Sequence, residues 1–221
     1  MTKSVKDNGM SVGIITYDYF HLKTEQVVHK LLRKREIAEI KLFALPFKKR
    51  EKRVVLIPHR PDQTNAITTE DLANKNGFEF IRWDGVSELE ECNYYIITGA
   101  GILPTNVIKD KKIINAHPGI IPYARGLDSF KWSIYEDSDL GVTLHFIDEG
   151  IDTGEIITIE KTPIYDGDSL ATLARRHYEL EIDLISDYLY YINNPTVLSF
   201  PHKDAPSHKR MPAEIEAKMV R

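Results

Sequence analysis

Short apolar runs alternate with amphipathic stretches along this chain. Val12–Thr16 is nearly continuous in apolar residues, the pattern of a strand buried on both faces. Lys23–Arg35 places Val27, Val28, Leu31 and Leu32 on one stripe at helical spacing. Further strands are expected over Ile37–Leu45, Phe78–Trp83, Tyr94–Thr98, Lys112–Asn115, Val142–Ile147 and Glu155–Ile164. Thr69 is placed to cap a short helix that runs to Asn76, with Gly77 just past its end. Asp128–Tyr135 reads as helix. Asp168–Ile192 reads as the longest helix, capped by Asp168 or Ser169 and stopped by Asn193-Asn194-Pro195. Strands alternating with helices predict an α/β fold: a mainly parallel sheet with helices on both faces. The stretch after Pro201 holds Pro206 and Pro212 and little periodicity, so a short C-terminal arm is expected there. Ligands of such sheets bind beyond the carboxyl ends of the strands, which makes the loops after strands the informative segments.

Composition narrows the classes. The 221 residues are 42% hydrophobic and 28% charged, the balance of an ordinary globular domain and not of collagen, a coiled coil or a disordered chain. With 29 basic and 33 acidic residues the net charge is −4, so no global attraction for nucleic acid or a membrane surface is expected. A single cysteine, Cys92, excludes an internal disulfide framework and suits a reducing cytosol. No apolar run approaches the length of a membrane helix, and the polar start of the chain does not read as a signal peptide. A cytoplasmic protein is the expectation.

The residues with most chemistry lie between Asn115 and Gly154. They run Asn115-Ala116-His117-Pro118-Gly119-Ile120-Ile121-Pro122, continue through Arg125-Gly126-Leu127-Asp128, and end Asp148-Glu149-Gly150-Ile151-Asp152-Thr153-Gly154. Asn115 and His117 are two apart, so an extended strand points both to one face. Asn, His and Asp suit acyl transfer to an amine: an amide donates to a developing oxyanion, an imidazole donates or takes a proton, and a carboxylate orients it. The same residues also fit local roles, with Asn115 at a strand end, His117 bonded nearby and Asp152 in an Asx-turn. His145 lies on a strand and reads as a satisfied histidine, either in the core or supporting residues of a site, and not as a ligand. The other histidines lack metal-ligand spacing. Gly99-Ala100-Gly101 imitates a dinucleotide fingerprint but has Pro104 where the third glycine belongs. Lys48–Arg53 is a basic run, either a solvated loop or an anion site, and His59-Arg60-Pro61-Asp62-Gln63 is a second candidate for anion binding.

The two outer motifs, with Gly101-Ile102-Leu103-Pro104 before the first and Gly141-Val142-Thr143-Leu144-His145 before the second, resemble the folate-dependent formyltransferase family. The resemblance covers about Thr98 to Ile164 and implies a Rossmann-like fold, with residues 1–200 as the catalytic domain and 201–221 as a C-terminal tail. It implies Asn115, His117 and Asp152 as the catalytic trio. It implies Gly101, Ile102, Leu103, Asp148, Gly150, Ile151 and Thr153 as contacts to the folate. The implied formyl donor is 10-formyltetrahydrofolate, a co-substrate, with no metal. A cis peptide is implied at Ile121-Pro122.

The acceptor is reached by elimination. Glycinamide ribonucleotide enzymes of the family carry a Gly-Ser-Asn phosphate loop where this chain has Tyr17-Asp18-Tyr19-Phe20-His21. Enzymes acting on methionyl-tRNA carry a further RNA-binding domain, whereas this chain is acidic and stops soon after its last long helix. An amine on a nucleotide-linked sugar remains, with Arg60 and Arg125 as candidate contacts. The alternatives are a phosphoribosylglycinamide formyltransferase-like enzyme, a formyltetrahydrofolate hydrolase, and a folate- or nucleotide-binding module without turnover. No nucleic-acid or membrane partner is expected, and a homodimer stays open.

Overall fold

The computed structural model describes residues 9–49, 54–195 and 207–220. Two compact units divide the chain: Met1–Phe47 with Thr64–Ile113, and Lys48–Gln63 with Ile114–Arg221.

The first unit begins with strand β1 (Met10–Asp18), whose centre is fully buried, as its apolar run predicts. Helix α1 (Leu22–Leu31) turns Val27, Val28 and Leu31 inward. It stops before the exposed charged stretch that the periodicity reading carried on to Arg35, because Leu32 is half exposed and adds little to the buried stripe. Strand β2 (Ile37–Pro46) follows, then helix α2 (Thr69–Asn76). The cap is Thr68, one residue before the expected Thr69: its hydroxyl accepts from Asp71 N, and Gly77 closes the helix in the left-handed region at φ 69°. Strands β3 (Glu79–Arg82) and β4 (Tyr94–Ile97) and the single-turn helix α3 (Thr105–Ile108) complete the unit. Its strands lie in the order β3-β2-β1-β4, every pair parallel, with β1 registered Val12 to Ile40 on one side and Val12 to Tyr94 on the other.

The second unit is built on antiparallel pairing. Strand β5 (Ile113–His117) starts at the unit boundary and extends beyond the expected Asn115. It is followed by helix α4 (Ser129–Tyr135) and strands β6 (Gly141–Phe146) and β7 (Ile156–Lys161). β6 pairs antiparallel with both β5 and β7. The long C-terminal helix is two elements, α5 (Leu170–Ser186) and α6 (Tyr188–Asn193), broken at Asp187, whose φ of −99° and ψ of 17° leave the helical region. Ser and Asp compete for the backbone with their own side chains, which makes Ser186-Asp187 a weak link. The Ser169 hydroxyl caps α5 by accepting from Thr172 N.

The arm carries an element that the sequence reading left without structure, helix α7 (Ala213–Met219). Met211 and Glu216 are fully buried there. Glu216 receives Lys131 Nζ at 2.6 Å and the backbone N–H of Leu56 at 2.7 Å. Removing one partner of such an interior ion pair typically costs about 3–5 kcal/mol, because the other charge is left buried and uncompensated. Together the two units define a Rossmann-like α/β protein. Among the described residues no helix is long and apolar enough to cross a membrane.

Candidate active site

Strand pairing in the second unit decides which side chains meet. Asn115 lies opposite His145 and His117 opposite Thr143 in the β5–β6 register. Directly opposed residues on antiparallel strands share a face. Asn115, His117, Thr143 and His145 therefore stand together, while Ala116 and Leu144 point into the core on the other face. Thr143 braces the loop after β5: its hydroxyl donates to Gly119 O at 2.7 Å and accepts from Ile121 N at 3.0 Å. The Ile121-Pro122 peptide in that loop is cis.

His117 is buried, and both ring nitrogens face acceptors. Nε2 lies 2.6 Å from the Ala124 carbonyl oxygen, with Ser129 Oγ at 3.2 Å. A carbonyl only accepts, so Nε2 carries a hydrogen. Nδ1 lies 3.3 Å from Asp152 Oδ2, again an acceptor. Both nitrogens can donate at once only in the doubly protonated ring. Asp152 comes from the loop after β6, where it holds the left-handed backbone at φ 51°. Asp is among the few side chains that adopt this region readily. The same Oδ2 accepts the Gly126 N–H at 2.8 Å, and Arg125 Nε donates to Ile151 O at 2.9 Å. Two contacts thus clasp the loop after β5 to the loop after β6.

His145 belongs to this cluster, although the sequence reading left it outside the trio. Its Nδ1 donates to Phe146 O at 2.9 Å, so Nε2 carries the lone pair and accepts from Asn115 Nδ2 at 3.4 Å. Asp152 Oδ1 is 3.8 Å away. Burial, reinforced by the neighbouring His117, pushes its pKa down to about 4, so the ring is neutral at pH 7. The signal that could have found it is its register opposite Asn115, which needs the strand pairing and not the motif alone.

The remaining expected residues fall as follows. Gly101, Ile102 and Leu103 lie in the first unit, after β4 and outside helix and strand. Ile102 is 81% exposed, and a Cβ on Gly101 would meet nothing within 4 Å. Asp148, Gly150, Ile151 and Thr153 lie in the second unit, in a turn held by Asp148 Oδ1, which accepts from Gly150 N at 3.0 Å and Thr153 Oγ1 at 2.6 Å. Arg125 serves the clasp just described. Arg60 NH2 lies 2.8 Å from the buried Glu181 carboxylate, in the second unit. His59 beside it stacks on Phe130 with ring centroids 5.9 Å apart, and burial pushes its pKa down to about 4. In the basic run Lys48 and Lys49 are exposed, and residues 50–53 lie outside the described residues. Cys92 is buried, and burial pushes its thiol up to about 11, so it is not a nucleophile at neutral pH. Among the described residues no cluster has the makeup of a metal site.

The formyl transferase family model matches residues 84–189. That segment, which holds Asn115, His117, His145 and Asp152, belongs to the formyl transferase family. More particularly, the chain is similar to the methionyl-tRNA formyltransferase of Sulfurimonas denitrificans, at 28% identity over 167 residues, 74% of this chain and 55% of that protein. It is also similar to the phosphoribosylglycinamide formyltransferase of Bacillus subtilis, at 38% identity over 71 residues, 32% of this chain and 36% of that protein. The chain thus spans about half or less of these curated relatives. Among solved structures, the formyltransferase PseJ from Anoxybacillus kamchatkensis shares the fold, with a TM-score of 0.57 at 20% identity over 95% of this chain and 90% of that one. It was solved with UDP-4,6-dideoxy-4-formamido-L-AltNAc and tetrahydrofolate.

Proposed function

We propose that this chain is a cytoplasmic N-formyltransferase that moves a formyl group from 10-formyltetrahydrofolate to the amine of a nucleotide-linked amino sugar. The observation that carries formyl transfer is the His117 ring, held between Asp152 and the Ala124 carbonyl with Asn115 on the same face. The nucleotide-sugar acceptor is supported by the likeness to PseJ over nearly the full length of both chains. Residues 17–21 also lack the glycine-rich phosphate loop of the glycinamide ribonucleotide enzymes.

Gly101–Leu103 and the Asp148–Thr153 turn are the residues proposed to hold the folate. The folate supplies an activated formyl group, and the chain does the rest. One Asn115 amide hydrogen is directed to His145, which leaves the second to donate to an oxygen that gains negative charge. When both its nitrogens carry hydrogen, His117 places positive charge beside that oxygen. Asp152 keeps Oδ2 on His117 and Gly126, and its Oδ1 is the acceptor for a proton released by the incoming amine.

The test is donor turnover with and without candidate amines. Formylation of a nucleotide-linked amino sugar supports the reading. Turnover only with glycinamide ribonucleotide or methionyl-tRNA reassigns the acceptor. Turnover without any amine indicates a hydrolase, and folate binding without turnover indicates a binding module.

A further inference from the structure

The C-terminal arm touches the loop that carries the catalytic clasp. His208 N donates to Arg125 O at 2.8 Å, and Leu127 N donates to His208 O at 2.9 Å. These two bonds form a parallel bridge that flanks Gly126 on both sides. Gly126 has φ 90°, and a Cβ on it would collide with His208 O and lie 2.8 Å from His208 N. Only glycine permits both the backbone angle and this approach of the arm. The Gly126 N–H between the two bridging bonds is the one that donates to Asp152 Oδ2, the oxygen facing His117 Nδ1.

Four contacts hold the arm in place. The His208 ring stacks on Trp132 at 4.5 Å between centroids and 15° between planes. Trp132 Nε1 donates to Lys209 O at 2.9 Å. Met211 N donates to Asp128 Oδ2 at 3.0 Å, and beyond it Glu216 is locked to Lys131. Every one of these partners lies on the 125–132 segment that enters and forms α4.

We propose that the arm around His208 is a positioning element of the formyl-transfer site: it fixes Arg125–Leu127 so that the Gly126 N–H holds the Asp152 carboxylate and, through it, the His117 ring. This rests on the formyl-transfer reading above. A contact that merely stabilised the fold would leave the clasp geometry and kcat of the folded fraction alone. A positioning contact alters both, because misplacing a reacting group by about 1 Å costs on the order of 10²-fold in rate.

The full chain is compared with His208→Pro, which removes the N–H donor to Arg125 O, and with His208→Ala, which keeps it. Folded His208→Pro should lose kcat about ten-fold or more with donor and acceptor KM within about two-fold. His208→Ala should retain most of kcat. Nitrogen NMR of the His117 ring and hydrogen exchange of the Gly126 amide read the clasp without any substrate. Both signals should change in His208→Pro and stay near wild type in His208→Ala. Should His208→Pro fail to fold, the arm is loosened one residue on: Trp132→Phe removes the Nε1 donor to Lys209 O, keeps an aromatic ring against His208, and should change the same signals. Wild-type kcat together with unchanged His117 and Gly126 signals in the folded His208→Pro chain, or in Trp132→Phe where His208→Pro does not fold, overturns the proposal. A wild-type chain without transferase activity overturns the functional reading instead, and the substrate-free signals still decide the role of the arm.

Discussion

Asn115 and His145 face each other across β5 and β6, the amide nitrogen of one 3.4 Å from Nε2 of the other. Because His145 donates through Nδ1 to Phe146 O, its Nε2 offers only a lone pair, and the Asn115 amide is turned with its NH2 toward the ring. Without that acceptor the Asn115 amide is no longer held with its NH2 toward position 145. His145→Ala should therefore lower kcat by about 10²-fold, the scale of a misplaced donor, with a smaller change in KM. Steady-state kinetics on the folded variant checks this, and nearly equal losses in kcat and kcat/KM are the expected signature of lost orientation.

Removing a trio member should affect turnover far more than folding. Asn115→Ala removes the amide donor, and Asp152→Asn removes the charge that faces His117 Nδ1. Each should cost about 10²–10³ in kcat. Asp152→Asn keeps an oxygen for the Gly126 N–H, so its melting temperature should stay close to wild type. Single-turnover kinetics beside a melting curve separates the two effects. An Asp152→Asn chain that transfers formyl at the wild-type rate rejects the role given to Asp152.

Stability should fall in mild acid. Burial holds His177 neutral, with its pKa pushed from 6.5 down to about 4. An unfolded chain takes up that proton near pH 6.5, whereas the folded chain resists it until about pH 4. Folding is therefore unaffected by this group above pH 6.5 and weakens as the pH drops toward 4, by about 1.4 kcal/mol per pH unit. His177 Nδ1 pairs with Thr162 Oγ1 at 2.7 Å, a contact that Gln can imitate. Urea unfolding at pH 7 and pH 5 should show a smaller loss for His177→Gln than for wild type, and an equal loss would exclude His177 as a source.

Arg60 allows a stability role and an acceptor role to be told apart. Its guanidinium lies on the buried carboxylate of Glu181, so Arg60→Ala should lower the melting temperature. Replacing both charges by apolar residues of similar size, Arg60→Leu with Glu181→Leu, should restore much of that stability, since exchanging an interior ion pair for hydrophobic contact is often neutral. If Arg60 also contacts acceptor phosphate, both variants should show a raised acceptor KM with kcat little changed, the mark of lost ground-state binding. Unaltered acceptor kinetics in the stable double variant would remove Arg60 from the acceptor site.

The sequence by itself determined what depends on neighbours along the chain. Apolar runs and helical stripes placed the strands and most helices, Gly77 and Ser169 marked helix ends, and the two-residue spacing of Asn115 and His117 put them on one face. Where it erred, local competition was close: the cap moved from Thr69 to Thr68, and the long helix broke at Asp187. Tertiary structure alone decided the contacts between distant segments. It set His145 against Asn115 through strand register, Arg60 on Glu181, and Glu216 on Lys131 beneath an arm that shows little periodicity. The reason is physical. Periodicity and capping are short-range and repeat along the chain, whereas a buried ion pair or a single bridge such as His208 to Gly126 involves few residues whose partners lie far off in sequence. Such contacts leave no pattern to read until the chain has folded.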